Sequence, residues 1–247
     1  MKISIITACY NSVTTLESTF QSVINQTYLE IEYIIVDGGS IDGSLQQIEN
    51  CDFVSHYISE PDKGIYDALN KGVKLATGDV IGFLHSDDVF ADNQVISKIA
   101  NQFERCNVDG VYGDLQYVDK QNTSKVIRNW VSCKFELSLL KNGWMPAHPT
   151  LFIKKEVYEK YGSFNLVYKI AADYDFMLRI FSDNTLNFSY IPKVITKMRT
   201  GGASNRSVRN IILKTIEDYR IIRSHNIGGL FSILIKNISK IKQFILK

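Results

Sequence analysis

Residues 79–88, DVIGFLHSDD, carry the reading on which the fold turns. Val80 to Leu84 form a short apolar run, the pattern of a strand buried on both faces of a sheet. The run stops at His85, Ser86, Asp87 and Asp88. Two adjacent carboxylates at the end of a buried strand cost free energy unless something pairs with them. In an open α/β sheet the carboxyl end of a strand is also where ligands bind. A hard divalent cation carrying a phosphorylated ligand satisfies both conditions, because such ions take carboxylate and phosphate oxygens. A solvated Asp-Asp turn capping the next helix satisfies these ten residues equally well, so the flanking sequence has to decide.

Working outward, Lys2 to Ala8 is a β-branched run that predicts a first central strand, followed by a helical pattern over Thr15 to Gln26. Tyr33 to Val36 predicts a second buried strand with Asp37 at its carboxyl end. Gly38, Gly39, Ser40 and the Asp42-Gly43 pair then predict turns before a helix from about Ser44 to Asn50. A strand near Val54 to Ser59 and a helix from Ile65 to Ala76 lead back to the opening stretch. Strands alternating with helices at this spacing indicate βαβ units and a parallel sheet. Thr7, Asp37, Asp87 and Asp88 then stand at carboxyl ends of parallel strands and converge on one crevice. Downstream, the pattern predicts a helix over Val95 to Phe103, a strand over Asp109 to Val118 paired as a hairpin with Lys125 to Trp130, and a short run at Thr150 to Ile153. ADYDFMLRIF, from Ala172, reads as a helix with Asp173 at or just inside its amino end, where the helix dipole favours a carboxylate.

Composition bounds the rest. A chain of 247 residues with 45% hydrophobic and 22% charged residues can bury a full core as one α/β domain or a domain with an appendage. The cysteines, Cys9, Cys51, Cys106 and Cys133, form no C-x-x-C pair, which argues against a zinc site or disulfide framework and suits a reducing compartment. The apolar part of the amino terminus is too short for a signal peptide, and no segment has the roughly 20 apolar residues of a membrane span. A cytoplasmic location is expected. The net charge of +2 hides an asymmetry: residues 197–247 hold 11 Lys and Arg against Glu217 and Asp218, a balance of +9, while residues 1–196 hold 17 basic and 24 acidic residues, a balance of −7. A basic tail on an acidic body points to a polyanionic partner.

Taken together, ISIITACYN, IIVDGGSIDGS, SEPDKGIYDALNKGVKLATGDVIGFLHSDD, HPTLF and ADYDFMLRI make the chain resemble a family 2 glycosyltransferase of the GT-A fold. The resemblance covers roughly the first 200 residues, with the motifs in the family's order. It implies a Rossmann-like, mostly parallel sheet flanked by helices over 1–205, with a helical extension over 206–247. It also implies inverting transfer of a sugar from a nucleotide-sugar, most often a UDP-sugar, to an acceptor hydroxyl. By position, Thr7, Ala8, Tyr10 and Asn11 line the base and ribose, Asp37 bonds the base, and Lys63 and Gly64 lie beside the donor. The DxD-type motif falls on His85 to Asp88, so Asp87 and Asp88 are the metal ligands for Mn²⁺ or Mg²⁺, with Asp87 also on the donor. Asp173 matches the catalytic base. The chain departs from the pattern at His85, where many members have Asp or Asn, and at Ala172, where many have Glu. The Q-x-x-R-W signature of processive members is absent, which implies one sugar per catalytic event.

These residues supply what a single in-line displacement needs: a carboxylate base near the attacking hydroxyl and a metal site for the departing diphosphate. No G-x-x-x-x-G-K-[ST] loop is present. His85, His148 and Trp144 are candidate acceptor or diphosphate contacts, with packed core roles as the alternative for His148 and Trp144. Asp173 as a helix cap and Asp37 as a turn former also stay open. Gly201 to Ser204 reads as a loop, a candidate lid over the donor. A nucleotidyltransferase would carry a Gly-rich basic loop after the first strand, where this chain has ACYNSVTTLES. A non-catalytic nucleotide-sugar-binding protein is the other alternative.

The tail predicts two amphipathic helices. On the first, over 206–223, Ile212, Ile216, Tyr219 and Ile222 share a face. On the second, Ile227, Leu230, Phe231, Leu234, Ile238, Ile241 and Ile245 share a face, with Lys236, Lys240 and Lys247 largely opposite. Such helices suit an anionic membrane surface and a lipid-linked saccharide acceptor, or fold back on the domain or form a homo-oligomer contact. A nucleic-acid partner is not expected, because the tail's isoleucine-rich face belongs to no nucleic-acid module.

Overall fold

β1 (Ile3–Cys9) lies between β2 (Ile31–Asp37) and β4 (Val80–Phe83), parallel to both, and β3 (His56–Ser59) extends the sheet beyond β2. The computed structural model describes residues 1–201 and 208–245. Successive residues of a strand point to opposite faces, and β1 and β2 are apolar on both. Ile5 and Ile35 pack with Leu16, Phe20 and Val23 of α1 (Leu16–Ile24) and with Val95, Ile96 and Ile99 of α4 (Val95–Arg105). Their neighbours Ile6 and Ile34 pack with Leu69 and Val73 of α3 (Ile65–Leu75) on the other side. α2 (Ser44–Glu49) sits beside α1.

Two glycines set how closely these layers approach. A Cβ on Gly72 of α3 would lie 2.4 Å from Ile6 Cγ2, and one on Gly82 of β4 would lie 2.2 Å from the Phe152 ring. The second contact seats β8 (Phe152–Lys154), which runs antiparallel to β4.

The second half of the sheet is mixed. β6 (Gly110–Val118) pairs antiparallel with β8 and parallel with β9 (Phe188–Arg199) along its whole length, with register shifts near Asp114. β5 (Val89–Phe90) closes that edge on β9. The expected hairpin is present as β7 (Val126–Trp130) on β6. The strand order is therefore β3-β2-β1-β4-β8-β6-β9-β5. α5 (Lys155–Tyr161) and α6 (Ala172–Phe181) cover the face that carries Ile6 and Phe83. All four cysteines are free thiols.

The tail forms α7 (Val208–Ser224) and α8 (Leu230–Ile245), and both fold back on the body: Ile221, Ile222 and Ile233 are buried in the same core as α6. Folding back is one of the outcomes the sequence leaves open, and the apolar faces read from the sequence are mostly not the ones turned inward. Ile212, Ile216 and Tyr219 are exposed, as are Leu230, Phe231, Leu234 and Ile238, whereas Glu217, Asp218 and Lys236 are buried. The side chains of Lys240, Ile241, Ile245 and Lys247 lie outside the described residues, as do residues 202–204 of the candidate lid. The inward faces are chosen by polar demand. Asp218 takes Lys236 Nζ at 2.9 Å and Lys214 Nζ at 2.8 Å, and Glu217 takes three backbone N–H groups of the body. Isoleucines could meet neither demand. Among the described residues no helix is long and apolar enough to cross a membrane.

Candidate active site

The carboxyl ends of β1, β2 and β4 meet at one edge, as the sequence predicts, but the side chains there divide into those that hold the edge together and those that face outward. Thr7 belongs to the first group. It is fully buried; its hydroxyl donates to Leu84 O at 2.6 Å and lies 3.1 Å from the Tyr33 hydroxyl. Its side chain ties β1 to β4 rather than lining a ligand. Asp37 is also fully buried. Its carboxylate accepts from Ser40 N at 3.0 Å, Gly39 N at 3.2 Å, Ser59 Oγ at 2.7 Å and the Ser40 hydroxyl, so in this conformation it organises the turn after β2.

Ala8, Tyr10 and Asn11 stand at the open side. Tyr10 is 63% exposed and lies over Gly38. Asn11 adopts φ +50°, a left-handed conformation that Asn tolerates better than most residues. It is locked to the turn by Ser40 Oγ on its N–H and by Ile41 N–H on its side-chain oxygen. In the β3–α3 loop, Gly64 takes φ +114° and Lys63 is exposed.

His85 to Asp88 turn back on themselves through Asp88 N–H to His85 O at 2.9 Å. Ser86 O accepts from Thr15 and Thr19, and Arg199 at the end of β9 donates through Nη1 to Asp87 O. The loop is thus pinned by its main chain. Asp87 remains half-buried, while Asp88 is fully buried with Oδ1 accepting Arg199 N–H at 3.1 Å and Oδ2 without a partner. Burial, reinforced by the charge of Asp87, holds the Asp88 carboxyl well above the usual carboxylate range despite Arg199. The pair is not equivalent: Asp87 is half-buried, whereas Asp88 is buried with one oxygen on Arg199 N–H. Among the described residues no three His, Cys, Asp or Glu side chains form a protein-only metal cage. One half-buried carboxylate does fit Mg²⁺ or Mn²⁺, which draw on one or two carboxylates and complete their shell with ligand phosphates and water.

Asp173 is the one residue from Ala171 to Leu178 that is not buried. It makes no helix-capping bond; its Oδ1 accepts the Tyr66 hydroxyl at 2.9 Å. Tyr66 also reaches Ile170 O at 2.8 Å, so one hydroxyl proton is shared between two acceptors. Burial and the neighbouring Asp173 charge push the Tyr66 phenol well above its ordinary range, which keeps it a donor.

His148 and His85 lie side by side after β4. The His148 ring stacks on Phe83 and lies 5.8 Å from the His85 ring. Burial lowers the His148 pKa to about 4, so its ring is neutral at neutral pH, and its Nε2 is buried without a partner. Burial also lowers His85, against the opposing charges of Asp87 and Asp173, both of which act on this one ring. Trp144 does not join them. It packs against Tyr112, Phe135 and Phe181 in the aromatic core, the alternative that the sequence left open for it.

Three residues at the site escape sequence reasoning. Tyr66 sits in an ordinary amphipathic pattern, and Arg199 passes for part of the basic tail. Glu217 left one trace: with Asp218 it is the only acidic pair in a basic stretch.

Comparison with known proteins gives these positions a context. The family model "Glycosyl transferase family 2" matches residues 4–162. A "PGL/p-HBAD biosynthesis glycosyltransferase" of Mycobacterium bovis is 32% identical over 222 residues, covering 86% of this chain and 83% of the relative. An uncharacterized glycosyltransferase of Mycobacterium tuberculosis is 33% identical over 180 residues, 72% of this chain and 68% of its own length. Among solved structures, S. aureus TarS 1-349 in complex with UDP-GlcNAc superposes with a TM-score of 0.72 at 18% identity, over 91% of this chain and 65% of that one. A mannosyltransferase from Pyrobaculum calidifontis in complex with GDP-Man and Mn²⁺ gives 0.65 at 15% identity, over 90% and 63%. The fold is GT-A, and the chain is a glycosyltransferase that belongs to family 2.

Proposed function

We propose that this enzyme moves one sugar from a nucleotide-sugar, a UDP-sugar first among them, to an acceptor hydroxyl with inversion at the anomeric carbon. The observation that carries the reading is the placement of Asp173 and Asp87. They are the half-buried carboxylates of their segments, on separate elements; Asp173 makes no capping bond and holds the Tyr66 hydroxyl at 2.9 Å. Asp173 takes the proton of the acceptor hydroxyl as its oxygen bonds to the anomeric carbon. The bond from that carbon to the diphosphate oxygen breaks in the same displacement, and the nucleoside diphosphate leaves with the electron pair. Asp87 is the residue to hold a Mn²⁺ or Mg²⁺, which as a Lewis acid offsets charge on the leaving diphosphate. Tyr10, exposed beside the Asn11 turn, offers a face to the base, and the unpartnered Nε2 of His148 offers a hydrogen bond to the diphosphate or the acceptor.

A lipid-linked saccharide at a membrane surface is the acceptor class that the tail favours. Leu230 and Phe231 of α8 are each 74% exposed, and α7 exposes Arg209, Arg220 and Arg223. The tail's two acidic residues are turned inward. Exposed apolar and cationic side chains on the same tail suit an anionic bilayer, which supports a peripheral membrane reading.

The test is nucleotide release from a panel of UDP-, GDP- and TDP-sugars with Mn²⁺. Asp173→Asn is expected to lose about 10²–10⁴-fold in turnover, the range for a general base, with UDP affinity unchanged. Near wild-type turnover by Asp173→Asn would sink the assignment.

A further inference from the structure

We infer that Glu217, on the tail helix α7, is a positioning residue for the base: it fixes the peptide segment from which Asp173 is presented. This rests on the reading of Asp173 as base. The Glu217 side chain is buried, and its carboxylate accepts three consecutive backbone N–H groups: Lys169 on Oε1, and Ile170 and Ala171 on Oε2, each at 2.9 Å. These three residues lead directly into α6. Charge-assisted bonds from a carboxylate to backbone N–H are about twice as strong as neutral ones, and three on one group define both the position and the tilt of the segment.

The segment is held from its other side as well. Ile170 donates its N–H to Glu217 and accepts from Tyr66 at its carbonyl, and the same Tyr66 hydroxyl reaches Asp173 Oδ1. A continuous path of hydrogen bonds therefore runs from the tail helix through the Ile170 peptide and Tyr66 to the base. α6 has no side-chain cap of its own, because Ala171 occupies the N-cap position. Without Glu217, three N–H groups facing a buried site lose their partner, and nothing else among the described residues bonds them. The segment then shifts to find water, and a base displaced by about 1 Å from its acceptor can cost about 10²-fold.

The assay is steady-state nucleotide release from a UDP-sugar with Mn²⁺ by the full chain, with UDP binding measured by calorimetry on each variant. Glu217→Ala is expected to lower kcat by about 10–100-fold, leaving the UDP dissociation constant and donor KM within about twofold. Glu217→Gln keeps one acceptor oxygen for the Ile170 and Ala171 N–H groups and is expected to recover most of that loss. Tyr66→Phe, which breaks the path without touching the tail, is expected to lower kcat with the same unchanged KM. Hydrogen exchange reads the segment directly: peptides spanning 165–173 should exchange faster in Glu217→Ala, and those over β1 and β4 should not change.

Wild-type kcat in Glu217→Ala, with Asp173→Asn inactive in the same assay, would overturn the positioning role and leave the base reading standing. Wild-type turnover by Asp173→Asn would overturn the base reading and this role with it. A parallel loss of UDP binding and kcat in Glu217→Ala would show a general structural role and also overturn the proposal.

Discussion

Lys236→Met asks whether the tail is held to the body by the buried ion pair that links its two helices. The Lys236 and Asp218 side chains are each 2% exposed, with Nζ 2.9 Å from Oδ1 and 3.0 Å from the centroid of the Tyr174 ring beneath. Met matches the length of the lysine stem and leaves no large void, so the loss is electrostatic. Removing one partner of a buried pair costs about 3–5 kcal/mol because the other charge is left in a poor solvent. Here Lys214 remains at 2.8 Å on the second carboxylate oxygen, which puts the cost at the lower end, about 3 kcal/mol. At about 2–4 °C per kcal/mol for a chain of this size, the melting temperature falls by about 6–12 °C.

Thermal unfolding followed by circular dichroism measures it, with Asp218→Asn/Lys236→Met as the second arm. Removing both charges should recover much of the loss. Burial acts to raise the Asp218 carboxyl, but Lys236 and Lys214 outweigh it and hold the group below its ordinary range. A depressed carboxylate stabilises above its unfolded pKa of about 3.9, and that contribution disappears as pH falls through the folded value. The gap between wild type and Lys236→Met should therefore narrow below about pH 4. A melting temperature within 1 °C of wild type at neutral pH, or a double variant less stable than Lys236→Met, would refute the reasoning.

Two further outcomes are expected. Asp87→Ala should abolish the Mn²⁺ dependence of UDP binding, while Asp88→Asn should keep it, because Asp88 bonds Arg199 rather than the crevice; calorimetry with and without Mn²⁺ separates them, and equal losses would return both residues to the metal. Leu230→Ser/Phe231→Ser should reduce sedimentation with vesicles containing anionic phosphatidylglycerol without changing nucleotide release in solution. Undiminished vesicle binding would exclude that face as the membrane contact.

How much of this was legible depends on the range of the interactions. The four parallel strands and their helices follow from local patterns, because β1, β2 and β4 are apolar on both faces and α1, α3 and α4 carry clear stripes. Asp173 was legible as a position, but not its surroundings, since these come from a hydroxyl on Tyr66 and a carboxylate on Glu217 far away in the chain. Asp87 and Asp88 look alike in sequence; Arg199, paired with Asp88 across 111 residues, is what separates them. The sequence left the tail open between a membrane surface, folding back and an oligomer contact for the same reason. Amphipathicity shows that a helix has an apolar face, not that this face turns inward, and here the buried Glu217, Asp218 and Lys236 decide it.

The distance between Ala171 and Glu217 has a consequence for how the enzyme comes into being. They are 46 residues apart, with β9 between them. A chain emerges from the ribosome amino end first, so β1, β2 and β4 are synthesised before the residue that steadies the base. On the proposed reading, the residues that would hold a nucleotide are then made before the one that readies the base for transfer. On the same reading, α7, made after those strands, is what turns a sheet that would hold a ligand into one that would react with it.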